Sequence, residues 1–232
     1  SIKEAASGEI GYQPGFTPNW ENETGTITKN GTAEATATNT KQTLPLSIAK
    51  SVTSALASDH TKPFNFTVKF SDSVPATVSG VISTEGAEDV PATLTFTDND
   101  TRKELTFSLT DKQTLKLTGL PYGIGYTVDE TDDSDFTTTG EVTADSYATL
   151  APNASVTVTN TKKEGQLSVT KSVSSAVNSD KTKSYTINVT FKKTADTVAA
   201  NTKFVVNGVE TTSDASGGIA LTLKDGETAV IT

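Results

Sequence analysis

The stretch Leu46-Ser-Ile-Ala-Lys-Ser-Val52 predicts a β-strand whose apolar face is interrupted by one lysine. Side chains alternate along a strand, so Leu46, Ile48, Lys50 and Val52 share a face. A lysine is rarely buried unless it has a polar partner. We therefore expect Lys50 to lie inside the fold beside groups that compensate its charge.

The same pattern returns in Leu167-Ser-Val-Thr-Lys-Ser-Val173, which places Lys171 121 positions after Lys50 (171 − 50 = 121). Asn39 and Asn160, each in an Asn-Thr-Lys sequence, are separated by the same offset. An internal repeat of about 120 residues follows, which is an ordinary size for a β-sandwich.

The complete repeat spans residues 44–163, and its alternating segments predict seven or eight short strands. These strands are expected at residues 46–52, 64–70, 77–82, 92–96, 104–109, 115–117, 126–130 and 155–161. Residues 164–232 repeat the first part of this unit, and residues 1–43 repeat its last part. The predicted fold class is all-β, with tandem β-sandwich repeats forming one complete and two complementary partial domains.

Composition excludes several function classes. The formal net charge of −9 argues against nucleic acid or an anionic membrane surface as a partner, and no apolar run is long enough to span a membrane. The chain has no cysteine and one histidine, His60, so neither a thiolate metal site nor a histidine-based triad is expected. We expect no cofactor or metal; calcium binding by the acidic run 129–135 is an alternative to a solvated loop.

Three predicted strands each carry one polar residue in the apolar phase: Lys50, Glu130 and Asn160. Burying any one alone would cost several kcal/mol, whereas together they suit one reaction. A desolvated lysine becomes a neutral nucleophile, and a desolvated carboxyl group keeps its proton and can polarise an amide. Attack of the amine on the carboxamide would release ammonia and leave an isopeptide bond. A buried hydrogen-bonded network without that bond is the alternative.

These residues, in Ile-Ala-Lys-Ser-Val, Tyr-Thr-Val-Asp-Glu and Val-Thr-Asn-Thr-Lys, resemble the isopeptide-forming repeats of Gram-positive pilins and surface adhesins. Those repeats are Ig-like, CnaB-type modules, as in streptococcal T-antigen major pilins. Gly119-Leu-Pro-Tyr-Gly-Ile-Gly-Tyr126 resembles the turn that precedes the acidic strand in this family. The resemblance implies a crosslink between Lys50 and Asn160, with Glu130 as catalyst, in an extracellular protein of the cell surface, cell wall or pilus.

A second set maps to Lys171, Asn39 and Glu4, which lie in the two partial domains. Their order along the chain is reversed, and the complete domain stands between them. We therefore expect this crosslink to form between copies joined head to tail. A segment of a longer tandem array is the alternative interpretation. Residues Ala35, Ala37 and Asn39 share one phase of their strand, so that phase is expected to face inward.

The predicted function is a structural shaft or stalk subunit of a bacterial surface fibre, stabilised by its own crosslinks. The chain is not expected to be an enzyme, because its one catalytic set would act once, on itself. The alternative is an adhesin module that recognises a host protein or glycan. Trp20, the single tryptophan, is the aromatic residue on which that alternative depends.

Overall fold

A computed structural model of the chain describes residues 2–6, 14–143, 146–193, 196–198 and 200–232. Ser1 and residues 7–13 of the predicted first partial domain therefore lie outside the described residues. The described residues form two compact units. One lies within residues 1–51, 63–132 and 138–159, and the other within residues 52–62, 133–137 and 160–232.

Strands dominate both units, as the Thr- and Val-rich sequence predicts. In chain order they are β1 (Phe16–Glu21), β2 (Thr36–Lys41), β3 (Thr43–Thr53), β4 (Phe64–Phe70), β5 (Ser79–Thr84), β6 (Val90–Pro91), β7 (Thr95–Phe96), β8 (Glu104–Leu109), β9 (Gln113–Pro121), β10 (Gly125–Glu130), β11 (Phe136–Thr139), β12 (Ala148–Thr149), β13 (Ala154–Lys162), β14 (Leu167–Thr170), β15 (Tyr185–Thr190), β16 (Lys192–Lys193), β17 (Asp196–Thr197), β18 (Lys203–Val206), β19 (Val209–Thr212), β20 (Gly218–Leu223) and β21 (Thr228–Ile231).

Two short helices were found in the described part of the chain, α1 (Ala57–His60) and α2 (Asn178–Thr182). Neither is long enough to cross a membrane, and no helix among the described residues is. The all-β fold class predicted from the sequence is confirmed.

The complete repeat consists of two sheets. One has the order β12-β10-β4-β8-β7, and the other has the order β11-β13-β3-β9-β5-β6. Their inward residues form an aliphatic and phenylalanine core, because alternate positions of each strand face the opposite sheet. Members of this core that are almost fully buried include Leu46, Ile48, Phe66, Val68, Leu105, Leu115, Leu117, Val128 and Val158.

Strands β4 and β8 have the predicted bounds, and the alternate residues Phe64, Phe66, Val68 and Phe70 of β4 are all buried. Other predictions need correction. The strand expected at residues 77–82 lies at Ser79–Thr84, and the one expected at 92–96 shortens to Thr95–Phe96. Strands β11 and β12 occupy a stretch in which no strand was predicted.

A glycine is required directly after β11, where the backbone lies against β13. Gly140 has a φ of +90°, and a Cβ built on it would lie 2.0 Å from the carbonyl oxygen of Thr157. Any other residue would collide with backbone at this position. The close approach fixes the segment that returns toward β10 after β11.

In the first partial repeat, β1 and β2 form an antiparallel two-stranded sheet in which Asn39 lies opposite Pro18. Every residue of β2 is exposed, and so is Ala35. The expectation that Ala35, Ala37 and Asn39 face inward is therefore wrong for the single chain, since no second sheet formed by the described residues covers them. Residues 2–6 are not a strand, although the Ile2 N–H donates to the carbonyl oxygen of Glu23 at 3.1 Å.

The second partial repeat contains sheets of order β14-β21-β18-β19, β15-β20 and β16-β17. Its core is formed by buried Ile219, Leu221, Leu223, Ala229 and Ile231. The predicted strand over residues 167–173 ends at Thr170, and its inward phase is at most half-buried. A smaller core follows, since less apolar surface is covered than in the complete repeat.

Candidate functional site

Lys50 lies on β3 at the inward phase predicted from its neighbours, and the residue is only 2% exposed. Its Nζ atom is 3.1 Å from Oε2 of Glu130, and both side chains are fully shielded from solvent. Nζ also lies 3.3 Å from the carbonyl oxygen of Ser51 and 3.5 Å from that of Val158. The buried ammonium group is therefore surrounded by oxygen atoms.

Glu130 comes from the opposite sheet, at the end of β10. Its strand neighbours Tyr126 and Val128 are buried in the same phase, which aims the carboxyl group into the core. The backbone N–H of Glu130 donates to Oε1 of Glu141 at 2.7 Å. This second carboxylate holds the backbone from which the Glu130 side chain extends.

Asn160 is completely buried on β13, which lies directly beside β3 in the six-stranded sheet. It is two residues beyond Val158, so the two side chains project from the same face of the strand. The Val158 carbonyl oxygen is itself within 3.5 Å of Lys50 Nζ. The structure thus brings Lys50 and Glu130 into contact and places Asn160 inside the core on the neighbouring strand.

Burial dominates the electrostatics of this site. Desolvation lowers the pKa of Lys50, although the hydrogen bond and charge of Glu130 act in the opposite direction. Desolvation also raises the pKa of Glu141, with the nearby carboxylates Asp129, Glu130 and Asp132 adding to it and the Glu130 N–H opposing it. A lowered lysine pKa increases the fraction of neutral, nucleophilic amine.

Two contributors to the site escaped the sequence analysis. Phe64 was predicted only as the first residue of a strand, yet Lys50 Nζ lies 4.4 Å from the centre of its ring. Glu141 falls in a region predicted as loop. No strand alternation marks it, and its position became visible only through its bond to the Glu130 backbone.

The residues predicted to form the second crosslink are divided between the two partial repeats. Asn39 Nδ2 donates to Glu4 Oε1 at 3.1 Å, in an exposed setting. Lys171 follows the end of β14, donates to the carbonyl oxygen of Ser172 at 2.8 Å and lies 4.6 Å from the ring centre of Tyr185. Lys171 and Tyr185 thus repeat the pairing of Lys50 with Phe64.

One family model covers most of the chain. The family described as "Domain of unknown function (DUF7601)" matches residues 45–162 and again residues 165–232. The chain belongs to this family. The two DUF7601 matches share the repeated lysine strand with which each begins.

Several proteins to which this chain is similar are named as pilus proteins. The chain is 36% identical over 108 residues to the pilus tip adhesin Cpa of Streptococcus pyogenes, which is 46% of this chain and 14% of that adhesin. A solved structure of a pilus-presented adhesin, Cpa, is 25% identical with a TM-score of 0.37, covering 53% of this chain and 28% of the other. A major pilin protein of Streptococcus pyogenes is 27% identical with a TM-score of 0.36, covering 54% and 47%.

The chain therefore spans well under two thirds of these relatives. The identity to the pilus tip adhesin agrees with the resemblance found in the sequence. These relatives are pilus proteins by their names.

No group of three or more histidine, cysteine, aspartate or glutamate residues suited to a metal ion occurs in the described part of the DUF7601 repeats. In the acidic run considered for calcium, Asp133 forms an ion pair with Lys62, and Asp135 lies 3.5 Å from Lys162 Nζ. These two carboxylates therefore interact with lysine side chains. Trp20 is half-buried on β1, opposite Ala37.

Proposed function

We propose that this chain is a structural subunit of a Gram-positive surface fibre or pilus, and that an isopeptide bond between Lys50 and Asn160 closes its complete repeat. The observation that carries the proposal is the fully shielded contact of 3.1 Å between Lys50 Nζ and Glu130 Oε2. A buried ion pair is weak evidence for stability in itself, because desolvation offsets much of the attraction. A reaction that consumes both charges accounts for its placement.

The proposed reaction forms one bond and breaks one. The neutral amine of Lys50 attacks the side-chain carbonyl carbon of Asn160, while the protonated Glu130 carboxyl group donates to the carbonyl oxygen. Glu130 then passes a proton from the attacking nitrogen to the departing amide nitrogen. The carbon–nitrogen bond of the amide breaks, ammonia leaves, and a secondary amide remains.

The bond would join β3 to β13, the first and last strands of the repeat, which are neighbours in one sheet. It would close a loop of 110 positions (160 − 50 = 110). A disulfide closing a loop of that length contributes about 4–5 kcal/mol through the unfolded state, and an isopeptide bond should act similarly. Pulling on the two ends of the repeat would then load a covalent bond instead of hydrogen bonds.

Intact mass spectrometry tests the crosslink. The chain without substitutions should be lighter than its sequence mass by one ammonia for the complete repeat. The variants Lys50→Ala, Glu130→Ala and Asn160→Ala should each have the full mass calculated from their sequences. Lys116→Ala is the matched control, because Lys116 lies on the adjacent strand β9 but is exposed. A full-mass unmodified chain would mean that the three residues form only a hydrogen-bonded network.

We further propose that Lys171 of one copy is joined to Asn39 of another, with Glu4 as catalyst. Sheet order supports this pairing. The complete repeat has the order β11-β13-β3-β9-β5-β6, and the partial repeats supply β1-β2 and β14-β21-β18-β19. Placing β2 beside β14 would rebuild the six-stranded sheet. This heterologous contact does not close, so it would produce a filament.

Denaturing gel electrophoresis of concentrated protein tests the head-to-tail join. A ladder of covalent oligomers is expected, and it should disappear in Lys171→Ala and in Asn39→Ala. A single monomer band from the unmodified chain would contradict the join and leave the crosslink within the complete repeat unaffected.

A further inference from the structure

A second pair of side chains accompanies the crosslink on the last strand of the complete repeat. Lys162, two residues after Asn160, lies 4.7 Å from the ring centre of Phe136 on β11. Its Nζ atom is 3.7 Å from Oδ2 of Asp59. Asp59 belongs to α1, nine positions after Lys50. The lysine therefore connects the last strand to the segment that follows the first strand.

The first partial repeat contains half of this arrangement. Lys41, two residues after Asn39 on β2, lies 4.6 Å from the ring centre of Phe16 on β1. The distance and the strand order match those of Lys162 and Phe136. The β1-β2 hairpin thus holds its lysine in the geometry that β11 and β13 give to theirs.

The second partial repeat contains the other half. Asp180 of α2 is nine positions after Lys171, as Asp59 is after Lys50. Ser175 Oγ donates to Asp180 Oδ2 at 2.7 Å, and Ser54 Oγ donates to Asp59 Oδ2 at the same distance. The local structure that orients the aspartate is therefore the same in both repeats.

Exposure distinguishes the two aspartates. The Asp59 side chain, which faces Lys162, is 12% exposed, whereas the Asp180 side chain is 29% exposed. Lys183 donates to Asp180 Oδ1 at 2.7 Å. The equivalent lysine of the complete repeat, Lys62, is paired with Asp133 instead. Because a carboxylate accepts several hydrogen bonds, Asp180 can accept a second lysine beside Lys183.

We propose that Lys41 of one copy forms an ion pair with Asp180 of the next, and that this pair sets the register in which β2 adds to β14. The inference rests on the head-to-tail join proposed above and identifies residues that select the partner. The spacings along the chain are equal in the two cases. If Asn39 takes the position relative to Lys171 that Asn160 has relative to Lys50, then Lys41 comes toward Asp180. The occupant of the β14 edge is the β1-β2 hairpin of a second copy.

A one-residue slip of β2 would turn Lys41 to the other face of the strand and leave Asp180 without it. The ion pair therefore forms only in the register that also aligns the crosslinking residues. It would form before the covalent step and hold the two copies together while that step occurs. Opposite charges at the two surfaces also favour encounter of the correct ends.

The test measures reversible association by sedimentation equilibrium in a Lys171→Ala parent, which cannot form the covalent join. Lys41→Gln and Asp180→Asn should each weaken association about threefold to fivefold, as expected for a partly exposed ion pair. Asn at position 180 still accepts from Ser175, so α2 should keep its structure. Lys29→Gln, an exposed lysine in the loop between β1 and β2, is the matched control and should change nothing.

A double-mutant cycle completes the test. The Lys41→Gln/Asp180→Asn variant should associate no more weakly than either single variant, because both singles remove the same interaction. Additive effects, or single variants that associate like the parent, would overturn the ion pair while leaving the head-to-tail join in place. A parent that stays monomeric, together with an unmodified chain that forms no covalent ladder, would overturn the join and the ion pair with it.

Discussion

The complete repeat and the partial repeats use the same residues in different surroundings. Lys50 and Glu130 meet inside a two-sheet core, where both side chains are shielded from water. Glu4 and Asn39 meet at an exposed hairpin, and Lys171 is half-buried after a strand that has ended. The sequence motif is therefore not sufficient to bury these residues, since burial also requires a second sheet that covers them.

This difference distinguishes two requirements of the proposed site: the residues must be brought together, and the lysine must be desolvated. The Glu4–Asn39 hydrogen bond shows that two members of a set can be brought together without burial. The lowered pKa of Lys50, in contrast, has desolvation as its largest cause. We expect the partial set to become reactive only when another repeat segment covers it. The following predictions test that contrast.

The largest effect is expected for Glu130→Gln, which should prevent the proposed crosslink and leave Lys50 buried without the Glu130 carboxylate. Losing the crosslink should cost about 4–5 kcal/mol of unfolding free energy. Breaking a buried pair from one side costs about 3–5 kcal/mol. Guanidinium unfolding of the complete repeat should therefore shift to much lower denaturant concentration.

The control for this prediction removes both charges. Lys50→Met/Glu130→Gln also lacks the crosslink but leaves no unpaired charge in the core, so it should be more stable than Glu130→Gln alone. Equal stability of the two variants would show that the buried lysine carries no penalty.

Crosslinking in the complete repeat should accelerate with rising pH. Because burial lowers the pKa of Lys50 from its ordinary 10.5, the neutral amine accumulates at lower pH than for an exposed lysine. The proposed step also uses the proton on Glu130, so the rate should pass through a maximum below pH 10.5 instead of rising continuously. Intact mass after cell-free synthesis at a series of pH values measures the rate; a rise that continues to the ordinary value would contradict the desolvation argument.

Glu141 should influence the site through the Glu130 backbone. Glu141→Ala leaves the Glu130 N–H without its acceptor and should cost about 1–2 kcal/mol, with slower crosslinking. Glu141→Gln retains an acceptor oxygen and should recover most of the lost rate. Time-resolved intact mass compares the two variants. If both were equally slow, the charge of Glu141 and not its hydrogen bond would be responsible.

Much of the complete repeat could be predicted because the apolar residues that alternate along its strands are also the buried ones. The inward phases of β3, β4 and β10 follow directly from apolar residues two positions apart. Strand β11 was missed because Phe136 is its one buried residue and an acidic run precedes it. The phase of β2 that was predicted to face inward is exposed in the single chain, because alternation reports the period of a strand, whereas burial requires a covering sheet.

The smallest effect in the single chain is expected for Asn39→Ala. Its side chain is exposed and bonded only to Glu4 in the described contacts, so the unfolding free energy should change by less than about 0.5 kcal/mol. Asn160→Ala, the matched change in the complete repeat, should remove the crosslink and several kcal/mol with it. On a denaturing gel of concentrated protein the order of the two effects should reverse. Asn39→Ala should abolish the ladder of covalent oligomers, and Asn160→Ala should preserve it. A large loss of single-chain stability in Asn39→Ala would mean that the exposed hairpin already contributes to a core within its own molecule, and the contrast between the repeats would then fail.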